Sequence, residues 1–237
     1  MPAISTLALD VVAKDLALTL PYPLSVPSRG ATAADRAADR ERATGELHEA
    51  ELLDHSGRPG PQLERWLRTL TRPDVSIDSA YLPELDAQPV RAVAALAGRS
   101  AVLATQRDED TVRLRSVPKD QLVPAIVELL PERRRGSEAS VSIPDGRPAH
   151  TEDRQALARL TALPRRRGGQ LAANVGGLRG RRRSPVLTWF DNDTGRYFAQ
   201  HRDAWLTIAP AEPATLRKRL EEMLCEVTAD NRNHPRT

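Results

Sequence analysis

The sequence predicts a mixed α+β fold in which one unit, four strands and a helix, is used twice behind a mostly helical N-terminal part. Three observations carry this. Short apolar runs of strand length fall into two groups of four, bounded by Gly, Pro, Asp and Ser. Each group ends at a proline and then a helical segment. The two groups also match at an offset of 94 residues, which lays Ile77 on Leu171, Val93 on Leu187, Leu103 on Tyr197 and Gln106 on Gln200. A two-residue slip then matches Leu114 to Leu206 and Pro118 to Pro210. In the helices Leu122, Ile126, Leu129 and Leu130 fall on Leu216, Leu220, Met223 and Leu224, spaced as one buried face.

Residues 1–72 read as mostly helical. Leu7–Leu18 fits an amphipathic helix or a strand equally. "LPYPLSVPSRG" (20–30) has three prolines in eight residues, which forbid a helix and favour an extended connector. Thr32 is a candidate N-cap for a helix over Ala33–Leu53. Leu63, Trp66, Leu67 and Leu70 give Gln62–Leu70 helical spacing.

The first repeat spans 73–131. Its strands are Val75–Leu82, Val90–Ala97, Ala101–Gln106 and Val112–Val117, with turns at Gly98–Ser100 and at the acidic triplet 108–110. "KDQLVPAIVELL" is its helix. Residues 132–153, rich in Arg, Ser, Pro and Gly, read as a linker. A short helix, Arg154–Leu163, opens the second repeat (154–227). Its strands are Gly169–Val175, Pro185–Phe190, Arg196–His201 and Ala204–Ala209, and its helix is Pro213–Val227. Residues 228–237 read as a disordered polar tail.

Composition narrows the function. The 237 residues suffice for one large domain with a real core. Aromatics are only 3%, so Leu, Val, Ile and Ala must build that core. Of 35 basic residues 32 are Arg, yet 32 acidic residues hold the net charge to +3, too balanced to imply nucleic acid by itself. Cys225 stands alone, so neither an intrachain disulfide nor a cysteine zinc site can form, and we expect it to be packed. Asp10, Lys14 and Asp15 interrupt the N-terminal apolar pattern, which therefore lacks the core of a signal peptide. No run approaches the roughly 20 apolar residues of a membrane span. The expectation is a cytoplasmic, reduced protein.

Three motifs invite chemistry. "VLTWFDNDTGRYF" (186–198) contains D-x-D-x-T, the nucleophile motif of haloacid-dehalogenase-like phosphatases. Only 42 residues follow Gly195, and their single lysine lies within a helix, so the other members of such a site are missing. The repeat instead places Asp191–Gly195 on a hairpin, where Asp, Asn and Gly are ordinary turn formers. His48 and His55 lie near Glu46, Glu49 and Glu51 without ligand spacing, so no metal is expected. Three Arg triplets, 133–135, 165–167 and 181–183, raise the alternative of a nucleic-acid binder. No aromatic is interleaved with them, and solvated basic loops are the reading preferred.

Several stretches resemble the EspG family, the chaperones of type VII (ESX) secretion. They are "LPYPLSVPSRG" (20–30), "RAVAALAGRSAVLATQRDEDTVRLRSVPKDQLVPAIVELLP" (91–131), "RRRGGQLAANV" (165–175) and "RRRSPVLTWFDNDTGRYFAQHRDAWLTIAPAEPATLRKRLEEML" (181–224). The resemblance implies a central antiparallel sheet with N- and C-terminal helical bundles and a quasi-twofold relation between halves. It implies a non-catalytic cytosolic chaperone, without a cofactor, whose partner is the PPE member of a PE–PPE heterodimer, bound at its apolar tip. A homodimer of the free protein is left open. The binding surface it points to is the sheet, the loop Pro83–Pro89 and the C-terminal bundle. The candidates there are Leu82, Glu84, Leu85 and Asp86, with Trp205, Leu216 and Leu220 from the second half.

Overall fold

The structure is a computed structural model that describes residues 1–145, 150–176 and 180–233. Its framework is one eleven-stranded sheet whose named strands all pair antiparallel. The first unit supplies β2 (Val75–Leu82), β3 (Val90–Ala97), β4 (Ser100–Gln106), β5 (Thr111–Ser116) and α4 (Leu122–Val127). The second supplies β7 (Arg167–Val175), β9 (Leu187–Asn192), β10 (Gly195–Arg202), β11 (Trp205–Pro210) and α6 (Pro213–Asn233). Ahead of the first come β1 (Ala3–Ser5), α1 (Thr6–Asp15), α2 (Ala33–Glu49) and α3 (Pro61–Thr71); β6 (Val141–Pro144) and α5 (Thr151–Ala162) precede the second, and β8 (Arg182–Arg183) follows β7.

The spatial order is β1-β5-β4-β3-β2-β7-β9-β10-β11-β6, with β8 on β7. It reads as one motif run outward in both directions from the β2–β7 pair. These two strands join in antiparallel register, with Asp78 opposite Ala172 at the middle. The edge positions also correspond, since β1 closes the first half and β6 the second.

Alternation along the strands assigns side chains to two faces. On one face Ile77, Leu103, Leu171, Leu187, Trp189 and Phe198 pack under α4 and α6, sharing a core with Ile126, Leu216 and Leu220. On the other face the halves differ. The first covers Val93, Val102, Val112 and Leu114 with Leu9, Leu47, Leu63 and Leu67 of α1–α3. The second covers Phe190, Tyr197 and Ile208 with Leu160 of α5 and Val141 of β6.

The N-terminal elements start where their capping residues sit. Ser5 accepts from the Ala8 amide at 3.0 Å, and Thr32 and Asp35 form a reciprocal capping box on α2. Leu7–Leu18, ambiguous by pattern, becomes helix α1 with a short strand before it.

Several expectations need correcting. Residues 132–153 are not only a linker, because Val141–Pro144 pair with β11 and α5 already begins at Thr151. Apolar Val141, turned onto Ile208 and Leu160, holds that segment to the sheet. The tail is not disordered throughout, since α6 continues to Asn233; residues 234–237 lie outside the described range. The first-repeat helix is shorter than its sequence pattern, six residues from Leu122. Cys225 is exposed rather than packed.

Two matches in the repeat also slip. Ile77 pairs with Ala94, whereas Leu171 pairs with Leu187, so Ala94 and not Val93 is the counterpart of Leu187. Leu103 pairs with Ala94 and Gln200 with Leu187, which makes Gln200 the counterpart of Leu103. A one-residue shift reverses the face of every side chain, and pattern matching alone does not fix it. Leu114 and Leu206 remain equivalent, as do the buried helix pairs Leu122/Leu216 and Ile126/Leu220.

Candidate functional site

The D-x-D-x-T segment is structural. Asp191 and Asn192 end β9, Gly195 opens β10, and the turn between them is a hairpin in an antiparallel sheet. Gly195 has φ 130°, and a Cβ there would lie 2.5 Å from the Arg135 carbonyl, so the close crossing of residue 135 requires glycine. Asn192 Oδ1 accepts from the Thr194 amide and hydroxyl at 2.9 and 2.8 Å, the local bonding that makes Asn a turn former.

Asp191 is 0% exposed, where a nucleophile could not meet a substrate. It takes a bidentate bond from Arg196 at 2.7 and 2.9 Å and another from Arg167 at 2.9 Å. Arg196, 2% exposed, also donates to the Pro131 carbonyl and lies 4.5 Å from the Trp189 ring centroid. The charges are thus buried as a mutually satisfied group, the condition under which burial of ions is tolerated. Asp193, at the exposed tip, is ion-paired to Arg166 at 3.0 Å, and this bond holds its carboxyl below the usual range.

This geometry revises the reading of the Arg triplets as solvated loops. Arg133 and Arg134 donate to the carbonyls of Asn192 and Asp193, while Arg166 and Arg167 hold the two aspartates. Two triplets therefore clamp one turn from either side. From the third, Arg183 reaches Asp78 with two bonds, one of 2.9 Å, at the centre of the sheet. Its guanidinium also lies 5.5 Å from the Tyr22 ring, so the connector, the first unit and the second meet there. Guanidinium groups so engaged are not offered to phosphates.

The open surface lies elsewhere. Across the middle of the sheet, on the face away from α4 and α6, Ala80, Gln170 and Thr188 stand side by side. Gln170 is exposed and its neighbours are half-buried, although all belong to interior strands. Leu82 and Gly168 form the next row toward the strand end. The window lies between the cover of α1–α3 and that of α5.

The loop Pro83–Pro89 leaves β2 at the edge of this window. Leu82 is 37% exposed and Leu85 63%, two of the few large apolar side chains in water. Glu84 and Asp86 are exposed beside them. Trp205 is 47% exposed but starts β11, opposite Arg202 at the far end of the strands from Leu82. The structure therefore groups Leu82, Glu84, Leu85 and Asp86 and separates Trp205 from them. Leu216 and Leu220 are 0% exposed beneath α6, and as core residues they cannot touch a partner. Their apolar periodicity signals burial equally well whether a sheet or a client covers it, which is why sequence misplaced them. Ala80, Gly168, Gln170 and Thr188 were missed because small or polar residues on a strand give no signal until its neighbours are known.

The fold is that of a known class of scaffold. In structure the chain is similar to the Mycobacterium tuberculosis type VII secretion system chaperone EspG5, solved in complex with a PE25-PPE41 dimer. The TM-score is 0.70 at 15% identity, over 94% of this chain and 95% of that one. The EspG family model matches residues 5–222, and the chain belongs to the EspG family. No curated protein matches it in sequence. Among the described residues no helix is long and apolar enough to cross a membrane.

Proposed function

We propose that this chain is a cytoplasmic chaperone of a type VII secretion system. It binds the apolar tip of the PPE-type member of a PE–PPE heterodimer, keeps it soluble and passes it on for export. The observation that carries the reading is the bare window on β2, β7 and β9 with exposed Leu82 and Leu85 at its rim. A client whose apolar end aggregates in water gains free energy by burying that end against Leu82 and Leu85. Release must follow, so the contact belongs to the size range of about 1,200–2,000 Å² rather than to obligate assemblies. The work is done by surface burial, and the buried ion pairs of Asp191 serve the scaffold.

Leu82, Leu85, Glu84 and Asp86 are the residues proposed to contact the client, with Trp205 marking a separate contact at the other strand end. Co-expression with PE–PPE pairs tests the reading. The chain should raise their soluble yield and co-purify one-to-one. Leu82→Asp with Leu85→Asp should lower capture at least tenfold while the thermal midpoint stays put. Undiminished capture by that variant would remove the loop from the site, and failure to capture any PE–PPE pair would remove the function.

A further inference from the structure

The strand end that carries Leu82 and Leu85 is electrically divided, and the division follows the boundary between the two units. The order β5-β4-β3-β2 puts the β2–β3 and β4–β5 connections side by side at this end. Their centres lie two strand spacings apart, roughly 10 Å. Together they present Glu84, Asp86, Asp108, Glu109 and Asp110 against a single Arg107. Asp108 is engaged in its own turn, accepting from the Asp110 and Thr111 amides, and the Thr111 bonds keep its carboxyl below the usual range. The carboxylates of Glu84, Asp86, Glu109 and Asp110 are exposed and have no ion-pair partner among the described residues.

On the other side of β2 the sign changes. The same end of the second unit carries Arg133–Arg135 and Arg165–Arg167 around the β9–β10 turn. Arg166 is taken up by Asp193 and Arg134 by the Asp193 carbonyl, which leaves exposed Arg135, and exposed Arg165 over the Phe190 ring, without a carboxylate partner among the described residues. The six guanidinium groups of the two triplets outnumber the carboxylates of Glu132, Asp191 and Asp193 beside them, so this bank keeps an excess of positive charge. Leu82 and Leu85 stand on the seam between the two banks.

We propose that this end selects its client by polarity. The preferred tip is apolar, with cationic side chains on the flank that meets the β2–β3 and β4–β5 loops and carboxylates on the flank that meets the Arg banks. This rests on the chaperone reading above and deepens it by naming the chemistry of the client. Charge of matching sign speeds encounter and fixes register, while a tip of reversed polarity is repelled on both flanks. The apolar contact supplies adhesion, and the charges decide which end is admitted and which way round.

The test uses the full chain and one helical-hairpin peptide with an invariant Leu-rich tip. The peptide is made with Lys on one flank and Glu on the other, with Lys on both, and with Glu on both. At low salt the chain should prefer the mixed peptide over the all-Glu peptide by about tenfold, a gap that shrinks at about 0.5 M salt. Glu84→Lys, Asp86→Lys and Glu109→Lys together should reverse the order of the mixed and all-Glu peptides. Arg135→Glu with Arg165→Glu should shift preference toward the all-Lys peptide. Equal affinity for the three, binding of none, or an order unmoved by either variant overturns the proposal. A PE–PPE heterodimer run in parallel keeps the two readings apart. If the triple variant captures it as wild type does, polarity selection fails and the chaperone function stands.

Discussion

The two units share an order of elements but not a means of holding it. The first is closed on its open face by three helices, and Val93, Val102, Leu114, Leu63 and Leu67 make an aliphatic interior. The second has one helix, the edge strand β6 and the chain around Gly136, which crosses the Tyr197 ring, with a smaller apolar group. It compensates with aromatics and charge. Five of the eight aromatic residues, Trp189, Phe190, Tyr197, Phe198 and Trp205, lie on β9–β11. Arg196 and Arg167 lock Asp191 beneath the turn, and Phe190 stacks on Tyr197 at 5.6 Å. One topology can therefore rest on oil or on fitted polar groups, and the second is less tolerant because each partner depends on the others.

That contrast can be broken most sharply at Asp191. Asp191→Ala strands Arg196 without its counter-charge and should cost about 3–5 kcal/mol in urea unfolding. Replacing Asp191 and Arg196 together by leucine should recover much of this, because the penalty lies in an unpaired charge. Leu67→Ala in the first unit should cost about 3 kcal/mol by opening a cavity, with no partner change able to rescue it. Gly136→Ala comes next. Its Cβ would lie 2.2 Å from Tyr197 Cζ, and overpacking where residue 136 crosses that ring should cost about 1–3 kcal/mol. Stability within about 1 kcal/mol for Asp191→Ala would mean that both units are held alike.

The smallest expected effect concerns pH. Tyr81 lies at the seam, its hydroxyl donating to the Leu129 carbonyl at 2.7 Å, and burial raises its pKa. A raised folded pKa gives stability that is complete below the unfolded value of about 10 and is lost as pH rises through the folded value. Tyr81→Phe should flatten the fall in the urea midpoint above about pH 10, at the expense of about 1 kcal/mol at neutral pH. An unchanged alkaline slope would show that other groups set it.

Much of this architecture was legible in the sequence, and the limits have physical causes. Both four-strand groups, their proline ends and the buried helix pairs Leu122/Leu216 and Ile126/Leu220 follow from local periodicity and appear as expected, although α4 stops at Val127, before Leu129 and Leu130. Register did not, since the slip that makes Ala94 the counterpart of Leu187 is set by pairing between distant strands. Strand β6 was hidden in a stretch rich in turn formers, because four residues with one well-buried Val141 carry little pattern. At the candidate site Leu82 and Leu85 stood out as apolar residues in a polar loop. The bare row of Ala80, Gln170 and Thr188 became visible only when three strands were set side by side. The Arg triplets misled because a guanidinium in a turn looks the same in sequence whether it faces water or a carboxylate.

The central pairing of β2 with β7 has a consequence for how the protein is made. By the time residue 131 leaves the ribosome the first unit has every strand it needs, yet one border of β2 has nothing to bond. At about 5–20 residues per second, several seconds pass before residues 167–175 arrive. During that interval the open border of this eight-residue strand presents the unpaired N–H and C=O groups of alternate residues to solvent, the kind of border that recruits other chains. Since β7 lies antiparallel to β2, a β2 strand from a second nascent copy could dock in the vacant place. A chain ended at residue 131 should therefore accumulate as paired or aggregated material, whereas one that reaches residue 175 can seal the border with its own strand.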